Sequence, residues 1–121
     1  MKFRKERIEE QVRSVIAQFF HFVPDDELSL LTILQVEMSK DYRYAKVFWS
    51  ISIPSDDDIV KFPTEAKIKM ISEILVEKAP QIQRRIADSL QLRNTPKLQF
   101  HYDASMQAGN RIDELLKKAG L

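Results

Sequence analysis

The sequence predicts an α+β fold in which helices pack on one face of a three-stranded sheet. Two long stretches, near residues 3–20 and 64–91, have apolar residues three and four positions apart, which is the period of an amphipathic helix. Three shorter stretches, near residues 28–39, 43–53 and 95–103, alternate or are rich in Leu, Ile and Val, as strands are. The predicted order is helix, strand, strand, helix, kink, helix, strand.

The first half of the chain reads as a helix followed by a hairpin. The helix is predicted from about Phe3 to Phe20, because its apolar residues follow the helical period: Ile8, Val12, Val15, Ile16 and Phe19. Two strands follow, joined by Ser39-Lys40-Asp41, whose Ser and Asp side chains favour a turn. The second strand places one set of residues on the same side: Ala45, Val47, Trp49, Ile51 and Ile53. Two strands joined so tightly form an antiparallel hairpin.

The second half of the chain is predicted to contain a helix that breaks at a proline, then a strand. Thr64 caps the helix, and Pro80 removes a hydrogen bond, so we expect a break or kink near Ala79 and a second helix to about Gln91. Pro96 suits only the start of the last strand. That strand directs Leu98, Phe100 and Tyr102 to one side and Lys97, Gln99 and His101 to the other. We assign residues 1–106 to one domain and residues 107–121 to a loosely packed C-terminal amphipathic segment.

Composition limits the classes of function. The chain has 121 residues, enough for one core, and its lack of cysteine excludes disulfides, thiolate metal sites and cysteine nucleophiles. No apolar run is long enough to span a bilayer, so we expect a cytoplasmic protein. The net charge is only +1, yet basic residues gather at the start and between residues 78 and 97, while acids gather at 25–27 and 56–58. Segregated charge of this kind can present one positive face.

Three pieces of sequence carry a family resemblance that extends over nearly the whole chain. They are the basic opening Arg4-Lys5-Glu6-Arg7-Ile8, the hairpin sequences 36–41 and 45–50, and the segment from Ile82 to Asp103. Together they resemble ribosome-binding factor A, a bacterial family that acts in ribosome assembly. The order of elements is also that of KH-like domains of the second type, which bind single-stranded RNA. The resemblance therefore implies a KH-like fold.

The predicted kink departs from both patterns. The GxxG signature of KH domains is absent, since the only glycines are Gly109 and Gly120. In the family that the chain resembles, an Ala-x-Gly kink replaces that loop. Here the kink reads Lys78-Ala79-Pro80-Gln81, so proline supplies the break by removing a donor.

The resemblance implies a function and a set of site residues. It implies a non-enzymatic assembly factor that binds the small ribosomal subunit and its rRNA in late maturation and 5′-end processing, as a monomer, without a cofactor, metal or membrane partner. The helix kink would be formed by Ala79 and Pro80. The residues expected to bind RNA phosphates are basic: Arg4, Lys5, Arg7, Lys78, Arg84, Arg85 and Arg93. Arg84 and Arg85 would follow a helix start, where backbone donors are free.

Several alternative interpretations remain open from the sequence. His101, Asp103 and Ser105 form a weak candidate for a catalytic triad, although a strand end with a helix cap explains them better. Asp56-Asp57-Asp58 lacks the spaced ligands of a calcium loop and is expected to be a solvated loop. Four aromatic residues of the hairpin could stack on bases: Tyr42, Tyr44, Phe48 and Trp49. Trp49 shares the face of Val47 and Ile51 and is expected to pack in the core. The alternative functions are a KH-like module for another RNA and, from a different class, a small α+β enzyme.

Overall fold

The computed structural model describes residues 4–22, 28, 31–51 and 63–104. These residues form five elements in the order α1 (Arg4–Phe22), β1 (Leu31–Met38), β2 (Tyr44–Ile51), α2 (Glu65–Leu90) and β3 (Lys97–Tyr102). The predicted α+β class is confirmed. The acidic run 56–58, Ser105 and the C-terminal segment 107–121 lie outside the described residues.

The three strands form one mixed sheet with the order β1-β2-β3. β1 and β2 pair antiparallel, as the hairpin prediction requires, and β3 pairs parallel to β2. Helix α1 contacts β1, helix α2 contacts β3, and the two helices contact each other. Both helices therefore cover the same face of the sheet, with the core between the two layers.

The buried face of the sheet follows the predicted alternation in β2 and β3. Ala45, Val47 and Trp49 are fully buried in β2. In β3 the residues on the corresponding side are partly buried and pack against the core: Leu98, Phe100 and Tyr102. Trp49 packs edge-on against Tyr102, with the ring centroids 5.1 Å apart, so its predicted core role is confirmed.

Strand β1 contains an irregularity that the sequence did not predict. The pairing with β2 shifts register between Ile33 and Gln35, which leaves Leu34 as an extra residue, 43% exposed. Such a bulge changes the phase of the alternation, so that Ile33 and Val36 are both buried although they are three positions apart. The bulge explains why the apolar residues of this strand do not alternate cleanly.

The helix around Pro80 corrects one prediction. Residues 65–90 form a single α-helix that contains Pro80, and not two separate helices. Ile71, Leu75, Ile82 and Ile86 are fully buried at steps of four, seven and four, so the apolar stripe continues in phase past the proline. Proline in a helix interior costs about 3 kcal/mol, whereas burying each isoleucine contributes about 1.5–3 kcal/mol. Burial of both halves on one sheet therefore outweighs the break, and the kink at Ala79 and Pro80 stays a prediction.

Each edge of the sheet receives a side chain from the helix that lies beside it. On β1, the Met38 N–H donates to Glu9 Oε2 at 2.6 Å. On β3, the Leu98 N–H donates to Gln83 Oε1 at 3.2 Å. The neighbouring amides of Ser39 and Lys97 donate toward β2. The Met38 and Leu98 amides therefore point outward from the sheet. The two helices thus satisfy outward donors at both edges.

Candidate nucleic-acid interface

The first turns of α1 present the basic residues that the sequence predicted. Arg4 and Arg7 are exposed, and Lys5 is half-buried. Arg7 stands on the solvent side of the helix, whereas Arg4 and Lys5 precede the buried Ile8 by four and three residues and lie beside the start of the apolar stripe. Glu6 in the same turn offsets part of their charge. The predicted basic opening is therefore an accessible surface.

Arg13, further along α1, is occupied by an acid on the same helix. Its Nε donates to Glu10 Oε2 at 2.9 Å, and a second nitrogen contacts the other carboxylate oxygen. The guanidinium lowers the pKa of Glu10 through this hydrogen bond, and Glu10 raises the pKa of Arg13 in return. The pair neutralises itself and offers little free charge to a phosphate.

The basic residues of α2 point in different directions. Arg84 and Arg85 are exposed, and Lys78 is half-buried. Lys78 and Arg85 are seven residues apart and share one stripe of the helix, whereas Arg84 lies about 100° round the axis, opposite the buried stripe. Arg93 is exposed in the segment after the helix. A flat ligand surface therefore cannot contact Arg84 and Arg85 equally, because their side chains point to different sides of α2.

The continuous helix removes one expected feature of this site. From the sequence, Arg84 and Arg85 were expected just after a helix start with free backbone donors. Since α2 runs from Glu65 to Leu90 without interruption, its free N-terminal amides belong to the turn after Thr64. There the Thr64 hydroxyl accepts from the Lys67 N–H at 3.1 Å, which confirms the predicted cap. The arginines depend on their own side chains for contact with an anion.

A row across the sheet shows which predicted residues come together. Met38 pairs with Ala45 and Ala45 with Leu98, and the outer ends of this row bond to Glu9 of α1 and Gln83 of α2. The start of α1 and the last turns of α2 therefore lie at the same end of the sheet. This end holds six of the seven predicted residues: Arg4, Lys5, Arg7, Arg84, Arg85 and Arg93. Lys78 lies about 10 Å further along α2 and is separate from them.

The β1–β2 turn lies at the same end and is tightly ordered by polar side chains. Asp41 Oδ1 accepts from the Ser39 hydroxyl at 2.7 Å and from the Arg43 N–H at 3.1 Å. Ser39 Oγ in turn accepts from the Tyr44 N–H at 3.1 Å. These hydrogen bonds lower the pKa of Asp41, the Ser39 hydroxyl contributing most. The turn prediction for residues 39–41 is confirmed.

Tyr42 adopts a backbone conformation that is uncommon for its residue type. Its φ is +60°, in the left-handed region that favours glycine. The ring packs against the core, which helps to hold this conformation. The Lys97 N–H then bonds to the Arg43 carbonyl at 2.8 Å and joins the turn to the start of β3. The turn is thus hydrogen-bonded to the start of β3, directly after the α2–β3 connection.

The outer face of the sheet carries Tyr44 and Phe48, two of the hairpin aromatic residues for which base stacking was one expectation, among polar and basic residues of β2 and β3. Tyr44 pairs with Lys97, Lys46 with Gln99, and Phe48 with His101, and all point away from the core. The rings of Phe48 and His101 are 5.7 Å apart at their centroids and tilted by 32°. Their positions follow from strand alternation, so the signal was present. His101 stacks on Phe48 here, and Ser105 of the candidate triad is outside the described ranges.

Two further findings concern the described residues alone. Across the described segments, no cluster of three or more His, Cys, Asp or Glu side chains is arranged to hold a metal ion. Neither α1 nor α2 is apolar enough over its length to cross a membrane.

Comparison with known proteins places this fold. Residues 4–116 match a family model described as ribosome-binding factor A. Ribosome-binding factor A of Pseudomonas aeruginosa (strain UCBPP-PA14) is 35% identical over 117 residues, 96% of this chain and 84% of that protein. The solution structure of a Thermotoga maritima protein has a TM-score of 0.67 at 26% identity, over 84% of this chain and 88% of that one.

A second structure belongs to a relative that was fitted into a map of a ribosomal complex. It is a homology model of Thermus thermophilus ribosome-binding factor A, fitted into a cryo-electron microscopy map of a 30S complex. It has a TM-score of 0.59 at 20% identity over 81% of this chain and 93% of that one, which shows a shared fold. The fold and the site define the class of protein: a small α+β protein with two helices on a three-stranded sheet and exposed basic residues on both helices. The chain belongs to the ribosome-binding factor A family.

Proposed function

We propose that the protein is a non-enzymatic assembly factor that binds the small ribosomal subunit through its rRNA. Membership of the ribosome-binding factor A family carries this proposal, since the match extends over residues 4–116. The Thermus thermophilus relative seen with the 30S subunit supports the choice of subunit. By this proposal the protein acts in the cytoplasm as a monomer, late in maturation and near the 5′ end of the rRNA, and leaves before translation.

The physical basis of binding is electrostatic contact with RNA phosphates. Arg4 and Arg7 on α1 and Arg84 and Arg85 on α2 are exposed, and both groups lie at one end of the sheet. Each phosphate neutralised by a basic side chain releases counterions, which favours binding at low salt. Contacts from two helices to one RNA segment would hold that segment in one conformation. No step of this mechanism needs a cofactor.

Sedimentation in a sucrose gradient tests the choice of partner. Tagged protein is expected to migrate with free small subunits and not with translating ribosomes. With about five phosphate contacts, affinity should fall about a hundredfold between 50 and 200 mM salt. Migration with another RNA would favour a KH-like module for that RNA. Protein that stays wholly at the top of a low-salt gradient would refute the ribosomal assignment.

A double variant tests the basic surface of α2. Arg84→Ala with Arg85→Ala should leave the melting temperature nearly unchanged, because both side chains are exposed. Small-subunit binding should weaken, and the salt slope should fall by about 1 for each lost phosphate contact. Lys69→Ala, an exposed charge near the other end of α2, is the control. Normal binding by the double variant would place the contact on Arg4, Lys5 and Arg7 instead.

A further inference from the structure

We propose that the outer face of the sheet is a second RNA-contact surface, which takes unpaired nucleotides. Bases would stack on Tyr44 and on the Phe48–His101 pair, and phosphates would contact Lys46 and Lys97. This inference rests on the proposed function for its class of partner. It adds a binding mode, since the arginines of α1 and α2 contact phosphates alone whereas this face would contact bases as well.

Tyr44 and Phe48, the aromatic residues of this face, do not belong to the described hydrophobic core. The core lies on the other side of β2, where Ala45, Val47 and Trp49 are fully buried. Tyr44 is 44% exposed, among the most exposed large apolar side chains in the described part of the chain. Phe48 lies four residues along the same face, about 13 Å away, and is backed by the His101 ring of β3. The two positions are therefore separate stacking platforms.

The cations on this face are available to an anion. Lys46 lies between the two platforms, and Lys97 lies beside Tyr44 on the neighbouring strand. Within the described ranges neither lysine forms an ion pair. Glu37, the acid in these rows, stands opposite Lys46 in the register, and its carboxylate accepts from Gln35 Nε2 at 3.2 Å. In these rows the two lysines outnumber the acid.

Two clefts flank the Tyr44 ring. One, of about 350 Å³, is lined by Arg43, Tyr44, Asn94, Thr95 and Lys97. The other, of about 210 Å³, is smaller and more apolar, and its lining comprises Glu37, Met38, Ser39, Tyr44, Lys46 and Gln99. In the larger cleft Lys97 supplies charge beside Arg43, which pairs with Asp41, while Asn94 and Thr95 supply the amide and hydroxyl groups that can bond to base edges. An aromatic ring beside these groups suits an unpaired nucleotide on this side of Tyr44.

The chemistry of the face favours RNA over a protein partner. Lysine is depleted in the buried centre of protein interfaces, whereas here Lys46 stands in the centre of the aromatic residues. Cations interleaved with exposed rings on strands are typical of surfaces that bind single-stranded nucleic acid. The Tyr44–Lys97 row also adjoins the row whose ends bond to α1 and α2. One RNA segment could therefore pass from the basic helices to the sheet.

Amide chemical shifts of the ¹⁵N-labelled full chain test this surface directly. The probes are a single-stranded RNA octamer of mixed sequence and the same octamer in a duplex. With the single strand we expect shifts at residues 44–48 and 97–101, and with the duplex much smaller shifts there. Shifts confined to α1 and residues 84–85, or no shifts, would overturn the proposal.

Variants assign the stacking contact. Tyr44→Ala should weaken octamer binding at least about fivefold, whereas Tyr44→Phe, which keeps the ring, should bind normally. Val76→Ala, at an apolar residue of α2 that is 66% exposed, is the matched control and should also bind normally. Equal binding by Tyr44→Ala and wild type would overturn the proposal.

Sedimentation with small subunits separates this inference from the proposed function. If wild type binds subunits but the octamer leaves the sheet unchanged, the proposed function stands and the second surface is refuted. If Tyr44→Ala loses subunit binding while the octamer does not shift these strands, the face contacts a ribosomal protein, and the RNA assignment is wrong. If wild type binds no subunits but the octamer shifts the strands, the surface stands and its RNA is another one.

Discussion

The two sides of strand β2 differ completely in their surroundings. Ala45, Val47 and Trp49 have no exposed surface, whereas Tyr44 between the turn and Ala45 is 44% exposed. The buried side is wholly apolar, and the outer side alternates rings with a lysine. Because successive side chains of a strand point to opposite faces, one residue separates a structural position from a candidate binding position. Stability and binding should therefore respond to different substitutions along the same strand.

The largest expected effect contrasts two neighbouring aromatic residues. Trp49→Ala should lower the free energy of unfolding by about 3–5 kcal/mol, because it leaves a large cavity in the core. Phe48→Ala, on the outer face, should lower it by about 1 kcal/mol or less. Urea unfolding followed by far-UV circular dichroism measures both. Equal losses would show that the outer face is also part of the stabilising core.

The next effect concerns the helix layer that covers the buried side. Pro80→Ala restores the N–H that can bond to the Val76 carbonyl, so stability should rise, by at most about 3 kcal/mol. Urea unfolding again measures it, with Gln81→Ala at the next exposed position as the control. If the predicted kink shapes the binding surface, small-subunit affinity should fall although stability rises. A variant of lower stability would mean that the core packing requires the proline geometry.

A smaller effect is expected at the edge of the sheet. Glu9→Ala removes the acceptor of the part-buried Met38 N–H, which should lower the free energy of unfolding by about 1–3 kcal/mol. Glu6→Ala, at an exposed position on the same helix, should change it by less than about 0.5 kcal/mol. Thermal melting of the two variants makes the comparison. Identical melting temperatures would show that water replaces the carboxylate.

The smallest effect should appear in the turn that joins the strands. Hydrogen bonds from Ser39 and Arg43 lower the pKa of Asp41, so its contribution to stability is present above the unfolded-state pKa and is lost as the pH falls through the folded-state value. Asp41→Asn should therefore flatten the acid limb of the stability curve slightly. Melting temperatures between about pH 2 and pH 6 test this. An unchanged acid limb would assign that slope to other carboxyl groups.

Most of the fold could be predicted because its signals are local. The apolar period of α1, the alternation of β2 and β3, and the Thr64 cap each involve neighbouring residues. The bulge at Leu34 and the continuity of α2 through Pro80 could not be predicted, because both depend on packing against distant elements. The sequence gives the energetic cost of Pro80 inside a helix. That the apolar residues on both sides of Pro80 pack against the same sheet is visible only in the structure.

The candidate site was predictable in composition more than in arrangement. Arg4, Arg7, Arg84 and Arg85 are exposed, as basic residues on helix surfaces usually are, but their common end of the sheet follows from the bonds of Glu9 and Gln83. These bonds link residues 29 and 15 positions apart. Tyr44 was among the hairpin aromatic residues that could stack on bases, but its place beside Lys97 follows from the parallel pairing of β2 with β3, which links distant parts of the chain.

The environment of Trp49 makes this chain its own optical reporter. The protein has a single tryptophan, it is fully shielded from solvent, and its indole N–H finds no hydrogen-bond acceptor among the described residues. An indole in such surroundings emits at short wavelength and shifts to the red only when water reaches it. Its fluorescence should therefore follow opening of the core and stay unchanged while ligands occupy the outer face.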